Sequence, residues 1–191
     1  MGKKPDLIKA GIQLFARQGY DGTTTAQIAA AVGVSEPVIY YNFKNKEALF
    51  VHILESIFTE YFARLDALEA QTSTQFQKIE NLIGLHFAFT TDFPDETYII
   101  ASVCPAKLRE SAHVCARLIE EQRKRLTIFI SGAIKAGIAS GEFFKVPVSS
   151  TTGLILIMVN GLMRRRVTKQ GGIKGFRKAT IEFCRRSLVR M

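Results

Sequence analysis

Residues 23–49, TTTAQIAAAVGVSEPVIYYNFKNKEAL, decide the fold. They read as two short helices joined by a tight turn, with a longer helix starting at their end. Thr24 and Thr25 suit an N-cap, and Ile28, Ala29, Ala30, Ala31 and Val32 give the first helix small apolar side chains. Gly33 ends it, because glycine takes the left-handed conformation that helix termini often need. Ser35 reads as the next N-cap, and Pro37 is tolerated in a first turn, where no intrahelical donor is lost. At about 100° per residue, Ile39 and Phe43 share one face of that second helix, and Pro37, Tyr40, Tyr41 and Lys44 share the other. A two-turn helix does not hold its shape alone in water. Ile39 and Phe43 are therefore expected inside, with the opposite face on display. Two short helices crossed around Gly33 form a helix-turn-helix; the alternative is an ordinary helical hairpin with a solvated polar face.

Working outward, Leu7, Ile8, Gly11, Ile12, Leu14 and Phe15 recur at three- and four-residue spacing, which predicts a helix from about Pro5 to Gln18. It buries the back of the helix-turn-helix. On the other side, Lys46 to about Ala70 reads as one long helix with an apolar stripe from Phe50 to Leu68. The boundary between domains then falls within a helix rather than in a linker.

The two pieces LIKAGIQLFARQGYDGTTTAQIAAAVGVS and EPVIYYNFKNKEALF resemble the TetR family of bacterial transcriptional regulators. The family's F-x-x-x-G-[YF] falls on Phe15 to Tyr20, T-T-x-x-x-I-A on Thr23 to Ala29, and G-V-S on Gly33 to Ser35. Its Y-x-x-F-x-x-K-x-x-L falls on Tyr40, Phe43, Lys46 and Leu49. A common departure is Glu36–Pro37, where many members carry a small residue and glycine. The resemblance implies an all-α fold of about nine helices. Three form a DNA-binding helix-turn-helix domain over residues 1–50, and six form a ligand-sensing and dimerisation domain over residues 51–191. It also implies a repressor that binds a palindromic operator in double-stranded DNA as a homodimer and is released by a small effector. Such release works by population shift between two arrangements.

Within the motif, Thr24 and Thr25 stand at a helix N-terminus, where amides and the helix dipole favour phosphate; a plain N-cap is the other reading, and both can hold. Tyr40 and Tyr41 can donate hydroxyls to phosphate, and Lys44 and Lys46 can supply charge; family precedent supports Tyr40 and Lys46. Ser35, Glu36, Pro37 and Val38 lead the recognition helix, where bases are read. Glu36 can accept from a cytosine amino group and Val38 can touch a thymine methyl, though Glu36 equally suits the helix N-terminus as a charge. Tyr20 and Gln27 are further contact candidates.

The 191 residues carry a net charge of +9 with 26 Lys/Arg against 17 Asp/Glu, which favours a polyanionic partner. Residues 1–46 account for only +3 of it. Cys104, Cys115 and Cys184 are odd in number and widely spaced, which suits a reducing compartment better than a disulfide framework; inert buried thiols and a thiol sensor are the two readings. The opening MGKKPD followed by an amphipathic segment does not read as a signal peptide. The longest apolar run, Gly153 to Met163, is far short of the roughly 20 residues of a membrane span. The expected location is the bacterial cytoplasm, on the nucleoid. There is no G-x-S-x-G, P-loop or H-E-x-x-H pattern, so no catalytic residue is expected. The scattered His52, His86 and His113 suggest no metal site, and no cofactor is expected. The non-enzymatic rival is a helical protein-interaction module that does not touch DNA.

Beyond residue 70, periodicity predicts helices over Gln75–Thr91, Glu96–Cys104, Ser111–Ala139, Val148–Lys169 and Ile173–Val189, with breaks at Asp92–Asp95 and Gln170–Gly172. The last two are the expected dimer interface, as a four-helix bundle with their copies; burial of the apolar helix in its own subunit is the alternative. Arg164–Arg166 read as cations in a last helical turn. The expected effector is mainly apolar. Its candidate lining is Phe58, Tyr61, Phe62, Phe87, Phe89, Phe93, Tyr98 and Phe129, with His86 and His113 as polar anchors. The same aromatic stripe can equally be plain core.

Overall fold

The computed structural model describes residues 2–101, 108, 113–167 and 174–190, without the side chains of residues 166 and 167. The described residues form nine α-helices: α1 (Lys4–Gln18), α2 (Thr25–Val32), α3 (Pro37–Asn42), α4 (Lys46–Glu69), α5 (Gln75–Asp92), α6 (Pro94–Ala101), α7 (Val114–Ala139), α8 (Val148–Val167) and α9 (Phe176–Leu188). The all-α expectation holds. Extended pairing among the described residues is limited to one bridge, between Phe143 and Val189. No described helix is long and apolar enough to cross a membrane.

Three boundaries depart from the periodicity for local reasons. α3 is entered from Glu36, which is itself helical and gives no side-chain cap. Ser35 contributes its carbonyl instead, accepting the Val38 N–H at 3.0 Å. α6 begins at Pro94, so Phe93 alone separates it from α5; proline at a first helical position loses no intrahelical bond. α9 begins at Phe176, after a left-handed Gly175. Ser111, Cys104 and the expected break at Gln170–Gly172 lie outside the described residues.

The chain packs as two compact units, Met1–Thr59 with Asp95–Ile119, and Glu60–Pro94 with Glu120–Met191. In the first, Leu7, Phe15, Ile28, Ile39, Leu49 and Ile53 are buried, one or two from each of α1 to α4. Phe50 meets Phe15 edge-on with ring centres 5.2 Å apart, and Tyr20 meets Phe50 at 5.0 Å. Such ring pairs add to plain area burial. A methyl group on Gly11 would come within 3.0 Å of Ile53, so α1 and α4 cross at a residue without a side chain.

In the second unit, α5 packs against α8 and α9. Ile79, Leu82 and Ile83 of α5 are buried, as are Ile155 and Val159 of α8 and Cys184 and Leu188 of α9. The connection after α7 is anchored at Glu142 and Phe143. Phe143 lies so close to Gly137 that any side chain there would collide with its ring. Beside it, the Glu142 carboxylate accepts the N–H groups of Gln75 and Phe76 at 2.9 and 2.7 Å, so a residue distant in sequence satisfies the start of α5.

Candidate nucleic-acid interface

The helix-turn-helix is fixed by caps and by the buried Ile28 and Ala29 of α2 and Ile39 of α3. Thr24 caps α2 with a full capping box. Its hydroxyl accepts the Gln27 N–H at 3.1 Å, and the Gln27 side chain accepts the Thr24 N–H at 2.9 Å. Gln18, at the end of α1, donates to Gln27 at 2.9 Å and ties that box to the preceding helix. Gly33 closes α2 at φ +69°, a left-handed turn where any larger residue is strained. Ile39 and Phe43 are both buried. Phe43 is extended rather than helical, but its N–H still reaches the Ile39 carbonyl at 2.6 Å.

The opposite face of α3 is open. Tyr41 is 91% exposed and Tyr40 52% exposed. Pro37, Lys44 and Ser35 are exposed beside them, and Val38 is half-buried. This unit therefore displays an aromatic and basic surface on a short, braced rod. A phosphate backbone is met by such groups.

Three of the candidate residues are already bonded to one another. The Thr25 hydroxyl donates to Glu36 Oε1 at 2.5 Å, and the Tyr40 hydroxyl lies 3.4 Å from both Glu36 Oε1 and Thr25 Oγ1. Lys46 is committed elsewhere. Its ammonium donates to the carbonyls of Tyr20 and Thr23, both at 2.8 Å, and sits 4.3 Å above the Tyr20 ring. It pins the α1–α2 connection to the first turn of α4. Burial, and after it the Glu47 carboxylate, push the Tyr20 phenol up to about 12. Tyr20 is a packing residue here, with its ring on Phe15 and Phe50.

One positioning residue was not singled out from the sequence. Asn45 caps α4, accepting the Ala48 N–H at 2.8 Å, and its signal was an Asn directly before Lys46–Glu47. Lys4 lies 5.4 Å from the centre of the Phe43 ring, a contact no local spacing announces.

The effector candidates separate into three places. Tyr61, Phe62, His86, Phe89 and Phe93 form one cluster, with Tyr61 in ring contact with Phe62, His86 and Phe89, and Phe89 with Phe93. His86 Nδ1 lies 2.8 Å from the Tyr61 hydroxyl and 3.0 Å from the Leu82 carbonyl. Burial pushes His86 down to about 4, against the opposing pull of Leu82, so the ring is neutral at pH 7. Beside the cluster, His86, Phe87 and Thr90 of α5 face Val159, Leu162 and Met163 of α8 across a narrow cleft. Phe129 lines a different hollow, with Leu65, Asp66 and Arg125 among its walls. Phe58, Tyr98 and His113 belong to the first unit. There His113 Nδ1 accepts the Cys115 N–H at 3.1 Å, so its Nε2 donates to Glu47 at 2.8 Å. Among the described residues, no group of three or more His, Cys, Asp or Glu is placed to hold a metal ion. Cys115 and Cys184 are buried thiols, and burial pushes Cys184 up to about 11, away from a reactive thiolate.

Residues 7–53 match the family model for bacterial regulatory proteins of the tetR family. The fatty acid metabolism regulator protein of Bacillus subtilis is 26% identical over 140 residues, 73% of this chain and 70% of the relative. The structure of the Bacillus subtilis regulator FadR in complex with stearoyl-CoA superposes with a TM-score of 0.78 at 21% identity, covering 94% of this chain and 96% of that one. AibR in complex with isovaleryl coenzyme A and operator DNA gives 0.76 at 16% identity, covering 95% of each chain. At such identities the two structures speak for the fold alone. With the braced helix-turn-helix and its open tyrosine face, the match identifies residues 7–53 as the helix-turn-helix part of the tetR family of bacterial regulatory proteins.

Proposed function

We propose that this chain represses transcription by binding a palindromic operator as a homodimer, and that a mainly apolar effector releases it. The observation that carries the DNA reading is the exposure of Tyr41 and Tyr40 on a helix braced from behind by Ile39. Tyr40, Tyr41 and Lys44 contact phosphate. Thr24, Thr25 and Gln27 present the start of α2 to the backbone. Ser35, Pro37 and Val38 lead α3 into the major groove, with Glu36 among them. Lys46 acts through position, by holding the α1–α2 connection. Residues 1–50 serve DNA and residues 51–191 serve sensing and dimerisation. The protein works in the bacterial cytoplasm, on the nucleoid.

Dimerisation through α8 and α9 is supported by Leu154, Ile157 and Phe183, 60%, 69% and 60% exposed. They lie on helices that a single copy leaves uncovered on that side, and large exposed apolar side chains at helical spacing mark association surfaces. The effector reading is supported by the aromatic cluster around Tyr61 and His86 and by the cleft between α5 and α8. Two structural neighbours hold acyl-CoA molecules, and the charge of this chain suits such an amphiphile. Residues 148–191 carry ten Lys/Arg and one Glu, whereas residues 1–147 carry sixteen of each sign. Arg177 of α9 packs on Gly84, two residues from His86. The cleft as it stands has no room for an acyl chain, so the chain must part α5 from α8, with its phosphates on the α8–α9 cations.

The test is gel retention on duplex from the gene's own upstream region. Wild-type protein is expected to retain it and Tyr41→Ala to lose at least ten-fold in affinity. Stearoyl-CoA is expected to release the complex where free coenzyme A does not. Equal retention by Tyr41→Ala sinks the DNA reading, and indifference to acyl-CoA sinks the effector reading alone.

A further inference from the structure

In the operator-binding surface just proposed, an acid stands where phosphate donors are needed. Glu36 leads α3, and its Oε1 accepts the Thr25 hydroxyl at 2.5 Å. The Tyr40 hydroxyl stands 3.4 Å from the same oxygen and 3.4 Å from Thr25 Oγ1. Thr25 opens α2, and Tyr40 belongs to the open face of α3. The two hydroxyls best placed for a phosphate oxygen thus converge on a carboxylate of the same chain.

We infer that Glu36 is an internal stand-in for phosphate that sets how tightly this protein holds DNA, rather than a reader of bases. The inference rests on the DNA reading above. Its physical content is competition. A phosphate that approaches Thr25 and Tyr40 meets a fixed negative charge, and it gains their hydroxyls only when the carboxylate lets go. The carboxylate also satisfies those hydroxyls in the free protein, so the start of α2 and the α3 face are held in one arrangement before DNA arrives. Because phosphates repeat along every duplex, the cost falls on all sequences alike. A base reader behaves in the opposite way, since losing its contact weakens only the duplex that carries the matching base. Local charge supports the first role. Residues 1–46 hold six Lys/Arg against Asp6, Asp21 and Glu36, and of these acids only Glu36 is bonded into the displayed surface.

The test compares Glu36→Gln with wild type on the upstream duplex and on a scrambled duplex of equal length, by fluorescence anisotropy at fixed salt. Glutamine keeps an acceptor for Thr25 and removes the charge. Both duplexes are expected to bind more tightly, by a similar factor of roughly three to ten, as one repulsive charge is lifted from a phosphate site. The gain is expected to shrink in a Thr25→Val background, where Tyr40 alone remains for the phosphate beside the carboxylate. Weaker binding confined to the upstream duplex assigns Glu36 to base reading and overturns the inference. Unchanged binding, or a gain that survives Thr25→Val in full, overturns it as well. If wild type binds neither duplex, the DNA reading fails and the inference falls with it; if wild type binds and only Glu36→Gln misbehaves, the DNA reading stands.

Discussion

Lys46 shows how far a single residue's role is from its type. A lysine beside two exposed tyrosines invites assignment to phosphate, and the family motif contains a lysine at that spacing. In the fold, its ammonium is spent on the carbonyls of Tyr20 and Thr23. The partners come from a connection more than twenty residues upstream, so no local spacing encodes the contact. Lys46→Met is expected to cost about 1–3 kcal/mol in urea unfolding, since two carbonyls lose a charged donor. Unchanged stability together with weaker DNA binding would return Lys46 to the phosphate role. His86 is the second such residue. The sequence offered it as a polar anchor among aromatic side chains, and it lies buried against Tyr61. Its folded value, about 4, lies below the ordinary 6.5, so the unfolded chain takes up the proton first as pH falls. The stabilisation is therefore complete above about pH 7 and drains away toward pH 4. Between pH 7.5 and 5 the loss from this one group is on the order of 2 kcal/mol. Urea unfolding at both pH values checks it, with His86→Leu expected to lose most of that dependence.

At the scale of elements, the N-terminal helices were legible because their signals are local. Threonine before an apolar run, glycine at the turn and a proline at the start of α3 are all read within a few residues. Ser35 was misassigned as a cap for the same reason, because a local rule cannot see that Glu36 is already helical and drawn toward Thr25. The Glu142 cap on α5 was invisible for the opposite reason, since it comes from a connection 67 residues away. The Thr24 capping box makes a direct prediction. Thr24→Ala is expected to cost about 1 kcal/mol in chemical denaturation, and Thr24→Asp to keep most of the stability because aspartate caps equally well. Equal stability of all three proteins means that α2 is held by packing alone.

For the whole molecule, the long helices followed from periodicity, while the gathering of aromatic residues did not. Tyr61, His86 and Phe89 meet because α4 and α5 pack together. Phe129 and His113 carry the same chemistry but lie elsewhere, and nothing in their spacing distinguishes them. Association through α8 and α9 is tested by Ile157→Glu with Phe183→Glu, which put charge into the face proposed to be shared. Sedimentation equilibrium is expected to give the monomer mass, 21.3 kDa for this chain, where wild type gives twice that. Variants that sediment as wild type does would move the interface elsewhere. The central claim is that the open face of α3 enters duplex DNA in pairs, and hydroxyl-radical footprinting of the upstream duplex tests it most directly. Two protected segments about one helical turn apart are expected with wild type and none with Tyr41→Ala. A footprint that persists unchanged in Tyr41→Ala would contradict the account.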